Sequence, residues 1–359
     1  MSIGLVFRAY LPLAVLALVS ELLLQIFAQR KVSPLEFDLI AYLPNLLPVT
    51  FFFVVGALGV IAFRAGMQRE PGVSRSRRLI DWFRSVPWLE MIFARIIPAF
   101  LYLELIQSSF AAFKPNIPGL VPFSWDPEFA ALDRLLMFGT DPWIVSHALM
   151  PSATATWAID KLYVIWFVVL IASYLFIMVQ PLRDAGRLAV MISIGIAWML
   201  LGGLVATVFS SAGPIFYEQV YDDATFRPLV ERLTAQSAEA SPVHGFSVLN
   251  ASDLVWKGYA GEPGYPALGI SAFPSMHVSM VALIWLFARY KSRIWGTIAF
   301  AYMIAILIGS VHLGWHYLVD GLFSIVASWL LWVASLRFAT QWLEPVGTDL
   351  SSQSSNVVT

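Results

Sequence analysis

Residues 294–337 read IWGTIAFAYMIAILIGSV, then HLGWHYLVD, then GLFSIVASWLLWVASLR. The outer blocks, 294–311 and 321–337, are apolar almost throughout. A helix of about 20 apolar residues crosses the roughly 30 Å of bilayer hydrocarbon, and it satisfies its own backbone amides there without water. Both blocks therefore predict membrane spans, and the stretch 312–320 between them carries two histidines and an aspartate at the edge of the apolar layer. Working outward, the same signal recurs at roughly 5–28, 40–63, 89–112, 160–180, 188–210 and 275–290. The expectation is an all-α polytopic membrane bundle of about eight spans.

Composition agrees. Hydrophobic residues make up 59% of the 359 and charged residues 13%, with a mean hydropathy of +0.74, whereas a soluble domain carries about 25% charged residues. The net charge of -1 supplies no basic field for nucleic acid. With no cysteine in the chain, disulfides, thiolate metal sites and a cysteine nucleophile are excluded. The first apolar run, Leu5 to Ala28, is long for a signal-peptide core and is followed by Gln29-Arg30-Lys31, so a retained span is expected.

Loop charges predict an orientation. Arg64, Arg69, Arg75, Arg77, Arg78 and Arg84 lie between the second and third windows, which marks that loop as cytoplasmic. Alternation then puts Arg183 and Arg187, next Arg289, Lys291 and Arg293, and finally Arg337 on the same side. Both termini are expected in the cytoplasm, and the long connections 114–159 and 211–274 on the extracytoplasmic face. Phe226, Leu229, Val230 and Leu233 recur at helical spacing in the second of these, which predicts a helix along the membrane surface. The chain divides into two N-terminal spans with a basic loop (1–88), a six-span core (89–340) and a polar tail (341–359) whose end, from Gly347, reads as disordered.

Of five histidines, His277, His312 and His316 sit where windows six, seven and eight reach the outer face. His277 follows Phe273-Pro274-Ser275-Met276, a helix-start pattern with Ser275 as the cap. The amides and positive dipole end of such a start suit a phosphate. His312, His316 and Asp320 are spaced by four and four, so a continuous helix would put them on one face. Asp320 could then accept from His316, fix its tautomer and leave the other nitrogen as nucleophile or base. An unpaired carboxylate in a span costs about 2.5–3.5 kcal/mol on insertion scales, so Asp320 needs that partner. Two plainer readings compete: histidines that merely hydrogen-bond neighbouring helices, or a metal-binding pair, for which the next carboxylate, Glu262, is distant.

Pro274-Ser275-Met276-His277 and His316-Tyr317-Leu318-Val319-Asp320 together resemble the type 2 phosphatidic acid phosphatase superfamily, in which Pro-Ser-x-His opens one helix and His-x-x-x-Asp the helix after next. The resemblance covers about residues 89–337 and implies a six-helix core with two added N-terminal spans. It also implies that His316 is the nucleophile forming a phosphohistidine, Asp320 its orienting carboxylate and His277 the general acid and base, with no metal or other cofactor. Two family features are absent. Ser310 stands where the family has a phosphate-binding arginine six residues before the nucleophile, and no Lys-x6-Arg-Pro signature occurs, since Val220 lies seven before Arg227-Pro228. Another cation must then face the phosphate; Lys114, Arg134, Lys161, Arg227 and Lys257 are the outer-side candidates, with Lys161 foremost at the mouth of window four. For any one of them, a snorkelling interfacial role is the plainer reading.

Asp133-Arg134-Leu135, Gly139-Thr140-Asp141-Pro142-Trp143, Asp160 with Tyr163, and Gly213-Pro214 with Tyr217 resemble the branch containing inositol phosphorylceramide synthases, which transfer a phospho-headgroup between lipids. Substrate-binding candidates are thus Ser275, His312, Lys161, Asp160 and Tyr163. The expected function is a lipid phosphotransferase acting on membrane lipids, with a phospholipid donor and a lipid (sphingolipid) or alcohol acceptor. Hydrolysis at the same site is the near rival. A transporter is the distant one, suggested by eight spans and by Glu90, Arg95 and Glu104 in window three. His147 and His244 receive no role, and Trp315 and Tyr317 read as interfacial aromatics.

Overall fold

The computed structural model describes residues 3–31, isolated positions between 59 and 84, and residues 87–344 except 242. The predicted span at 40–63, most of the basic loop and the end of the polar tail lie outside the described residues. Among the described residues the regular structure is helical, with no strand. We number the longer helices α1 (Ile3–Lys31), α2 (Ile97–Phe113, entered through a π-helical turn Met91–Ile96), α3 (Asp126–Leu136), α4 (Pro142–Leu149), α5 (Ala153–Val164) and α6 (Trp166–Met178). There follow α7 (Ala185–Ile196, continued by a π-helical stretch Ala197–Val205), α8 (Arg227–Ala240), α9 (Ser247–Tyr259), α10 (Met276–Lys291), α11 (Arg293–His312) and α12 (Leu318–Leu343).

Five stretches of the described residues are long and apolar enough to cross a membrane: Gly4–Leu23, Ala153–Met178, Ala185–Val208, Arg293–His312 and Leu318–Leu343. Much of their surface is apolar and outward-facing, as at Leu18, Phe167, Leu204, Val326 and Leu330, the pattern of helices solvated by lipid. The chain is thus an all-α membrane bundle.

Helices α10 and α12 pack against each other and each against both α7 and α11. Gly321 is a point of close approach, because a Cβ there would stand 2.2 Å from Leu307 Cδ1 and 3.5 Å from Val278 Cγ2. The π-helical continuation of α7 brings Gly202 against the start of α10, with a hypothetical Cβ 2.7 Å from Phe110 Cε2 and 3.3 Å from Met276 Sδ. Arg187, read from the sequence as a loop charge, is instead fully buried in α7 and donates to Tyr10 Oη (2.6 Å) and to the Arg95 carbonyl (3.2 Å).

Helices α3, α4, α8 and α9, with the first half of α5, cover the end of the bundle where α10 and α12 begin and α11 ends. Three carboxylates on this cover each hold the backbone amides of a distant segment. Asp133 accepts from Leu318 (2.7 Å) and Val319 (2.9 Å) at the start of α12. Asp160 accepts from Ser247 (2.9 Å) and Val248 (2.8 Å) at the start of α9. Asp126 accepts from the amides of Ala212 and Gly213 and from the hydroxyls of Ser211, Tyr221 and Tyr317. Buried amides need partners and helix starts favour negative charge, so these acids fix the outer segments on the bundle. Burial pushes Asp133 up to about 7 against the opposing effect of the two amides. The amphipathic stretch around Leu229 forms α8, but its apolar face packs on α5, with Leu229 and Leu233 wholly buried, so that face is occupied by protein.

Candidate active site

A helical stretch would put His312, His316 and Asp320 on one face; the structure breaks the helix there. Helix α11 ends at His312, and Gly314, at φ 74°, turns the chain so that α12 starts afresh at Leu318. Glycine reaches that left-handed conformation without the steric cost of a Cβ. The break sends the two histidines in different directions.

His316 stays with Asp320. Its Nδ1 lies 3.3 Å from Asp320 Oδ2, which also accepts the Tyr317 amide at 3.0 Å. Asp320 is fully buried, and its Oδ1 has no hydrogen-bond partner among the described residues. The motif on α10 is joined to this one directly, as the Ser275 amide donates to the Asp320 carbonyl (3.4 Å). Ser275 caps α10 by accepting from the Val278 amide (3.4 Å), and His277 follows on the first turn. Its ring lies between Tyr163 (centroids 4.8 Å, near-parallel at 24°) and Trp166 (4.3 Å), and Trp166 Nε1 donates to the His277 carbonyl at 3.0 Å. The rings of His277 and His316 stand 6.2 Å apart, inclined at 61°.

Both line one cavity of about 360 Å³. Its walls are mostly apolar, among them Phe110, Trp166, Trp198, Phe216 and Val248, and its polar lining includes Lys114, Asp160, Tyr163, Ser247 and Ser271. Val164, Phe167 and Leu268 belong both to the lining and to the exposed apolar surface. The cavity is therefore rimmed by side chains of the kind that face lipid. Burial pushes the His316 imidazole down to about 3, opposed by a hydrogen bond to the Ala272 backbone and reinforced by Lys114. At neutral pH the ring is uncharged, and a lone pair is available on one nitrogen.

The remaining sequence candidates fall in three places. Tyr163 lines the cavity, and its hydroxyl has no hydrogen-bond partner among the described residues. Asp160 also reaches the lining, but its oxygens are taken up by the start of α9 and by Lys161. Lys161 is not among the lining residues; it bonds Asp160 Oδ2 (3.0 Å) and Ser247 Oγ (2.8 Å). His312 lies outside the lining as well. Its ring stacks on His147 with centroids 3.7 Å apart, and its nitrogens meet Ser146 Oγ (3.1 Å) and Thr156 Oγ1 (2.9 Å), so it ties α4, α5 and α11 together.

Sequence reasoning missed three partners. His147, given no role, stacks on His312 and bonds its carbonyl through Nε2 (2.9 Å). Trp315 lines the cavity rather than the membrane interface, and Tyr317 is a core residue with its hydroxyl on Asp126 (3.1 Å). Gly314, directly ahead of Trp315, was the available signal that the chain turns inward there.

A family model for the PAP2 superfamily matches residues 127–338, more than half of the chain. The protein belongs to that superfamily. Its members are generally phosphatases or phosphotransferases, which makes this chain a membrane enzyme of that broad type. No curated protein and no solved structure matches it.

Proposed function

We propose that the protein is a lipid phosphotransferase working through a phosphohistidine at His316. The observation that carries this reading is the convergence of His277 and His316 in one cavity with an apolar rim, with Asp320 behind the second ring. With Nδ1–H of His316 donating to Asp320, Nε2 keeps its lone pair and attacks phosphorus. The N–P bond forms as the P–O bond to the departing alkoxide breaks, and a proton held by His277 passes to that oxygen. In the second half an acceptor hydroxyl gives its proton back to His277 and displaces the imidazole, so that a P–O bond forms and the N–P bond breaks. The first-turn amides of α10 favour the charge that gathers on the phosphoryl oxygens, and Tyr163 adds to the lining a residue whose hydroxyl has no hydrogen-bond partner among the described residues.

A lipid hydroxyl is the acceptor in this reading because apolar walls disfavour bulk water beside the intermediate. The arginine pattern of the loops supports an extracytoplasmic placement for the cavity. Hydrolysis is the second reading, and superfamily membership favours it as far as lipid phosphatase chemistry. Purified protein in nanodiscs, given a headgroup-labelled phospholipid with and without ceramide, diacylglycerol or a short alcohol, separates them. Transfer gives a labelled lipid product that appears only with an acceptor; release of a water-soluble labelled phospho-headgroup regardless of acceptor contradicts it and leaves the hydrolase.

A further inference from the structure

We propose that Lys114 is the cation that holds the phospho group in the cavity, in place of the arginine absent at Ser310. The inference rests on the phosphohistidine reading for its chemistry, but its test does not depend on turnover.

Lys114 directly follows α2 and lies outside the family-matched segment 127–338. It nevertheless lines the same cavity as His277 and His316. Among the described residues no carboxylate pairs with it and no hydrogen bond holds its ammonium. The other named cations are otherwise engaged: Lys161 with Asp160, Arg134 with Asp141, Arg227 with Glu218 and Lys257 with Asp253. A half-buried lysine without an anion is costly, and an ammonium in an apolar-walled cavity is completed by a phosphate.

The backbone on which Lys114 stands is fixed against the segment that leads into His277. Gly269, at φ 75°, passes so close that a Cβ there would lie 2.8 Å from the Lys114 carbonyl carbon and 2.7 Å from Pro115 N. The loop 268–272 therefore runs from this contact to Pro274 and α10, and couples the lysine to the first histidine. Ser310 itself is fully buried with its hydroxyl on the Leu307 carbonyl (2.8 Å), so the position that holds arginine in the family pattern is closed to substrate here.

Lys114 also gives the site a distinctive pH response. Burial pushes it down to about 8, so its charge is lost as pH rises through that value. The other ionisable groups lining the cavity are His277 and His316, Asp160 on α5, already bonded to Lys161, and Tyr163 on α5. Imidazoles and carboxylates ordinarily titrate below this range and tyrosines above it.

The test titrates inorganic phosphate into the purified full-length protein and follows tryptophan fluorescence, since Trp166, Trp198 and Trp315 line the cavity. Wild type, Lys114→Met, Lys114→Arg and His316→Ala are compared. The expected result is a Kd raised roughly ten- to a hundredfold in Lys114→Met, near the loss of one charged hydrogen bond, and little changed in Lys114→Arg. Wild-type affinity falls between pH 7 and 9, and that fall is absent in Lys114→Arg. Unchanged phosphate affinity in Lys114→Met, or a wild-type affinity flat across that range, overturns the assignment. Retained lipid turnover in His316→Ala overturns the phosphohistidine reading instead, whatever the phosphate titrations give.

Discussion

The imidazole of His316 meets the carboxylate of Asp320 at 3.3 Å, four residues along the chain, across the very start of α12 rather than within a helix. The same carboxylate oxygen accepts the Tyr317 amide, so the acid both starts the helix and orients the ring. Asp320→Asn preserves the shape but offers an amide where the ring needs an anion. It is expected to lower kcat by roughly two to four orders of magnitude with KM little changed. Steady-state kinetics on a lipid phosphate substrate check this; activity within a few-fold of wild type contradicts the orienting role.

In the proposed mechanism His277 gives its proton to the leaving oxygen, so the cost of losing it depends on how much help that oxygen needs. For a lipid alkoxide, His277→Ala is expected to reduce kcat by about 10²–10⁴-fold. For an aryl phosphate whose phenolate leaves unaided, the loss is expected to be far smaller. Comparison of the two substrates in one preparation tells a general acid from a residue that merely supports the fold, which would depress both equally.

Asp133 connects pH to stability through the start of α12. Its folded value is raised from 3.8 to about 7, so between those values the folded state binds more protons than the unfolded one. The contribution of this group is fully present below about pH 4 and is lost as pH rises through 7. Asp133→Asn is expected to flatten that part of the pH–stability profile, as read by thermal unfolding in detergent. A profile unchanged in the variant contradicts the assignment.

Gly213 sits at φ 94°, and a Cβ there would stand 2.7 Å from the Trp315 carbonyl oxygen, next to His316 in sequence. Gly213→Ala combines backbone strain with displacement of the turn that carries His316. An expected loss of about 1–3 kcal/mol in stability is accompanied by reduced turnover. A variant with wild-type melting temperature and rate shows that the turn tolerates the intrusion.

The membrane class of the fold was legible because hydropathy is a local property: runs such as 294–311 announce themselves whatever they pack against. The His316–Asp320 pair was legible for a related reason, as a spacing of four survives even though the segment is a turn leading into a helix start. His312 fails the same logic, because α11 ends there and Gly314 turns the following chain away, leaving its ring stacked on His147, which lies 165 residues away. Lys114 and Lys161 looked alike in the sequence. What separates them is Asp160, adjacent to Lys161 and bonded to it, and the loop around Gly269 that brings Lys114 beside His277 from 163 positions away. No local pattern carries contacts of that range. The acidic residues of the outer segments were visible as a motif, yet their work as remote caps needed the positions of the helix starts they hold.

The central claim is a covalent bond between phosphorus and one nitrogen. Rapid alkaline quenching of the wild-type enzyme with a lipid labelled in its phosphate, followed by peptide mapping, tests it most directly. The account predicts an acid-labile, base-stable phosphate on the peptide containing His316, formed within the first turnover and absent from His316→Ala. Label on another residue, or turnover in His316→Ala, contradicts it.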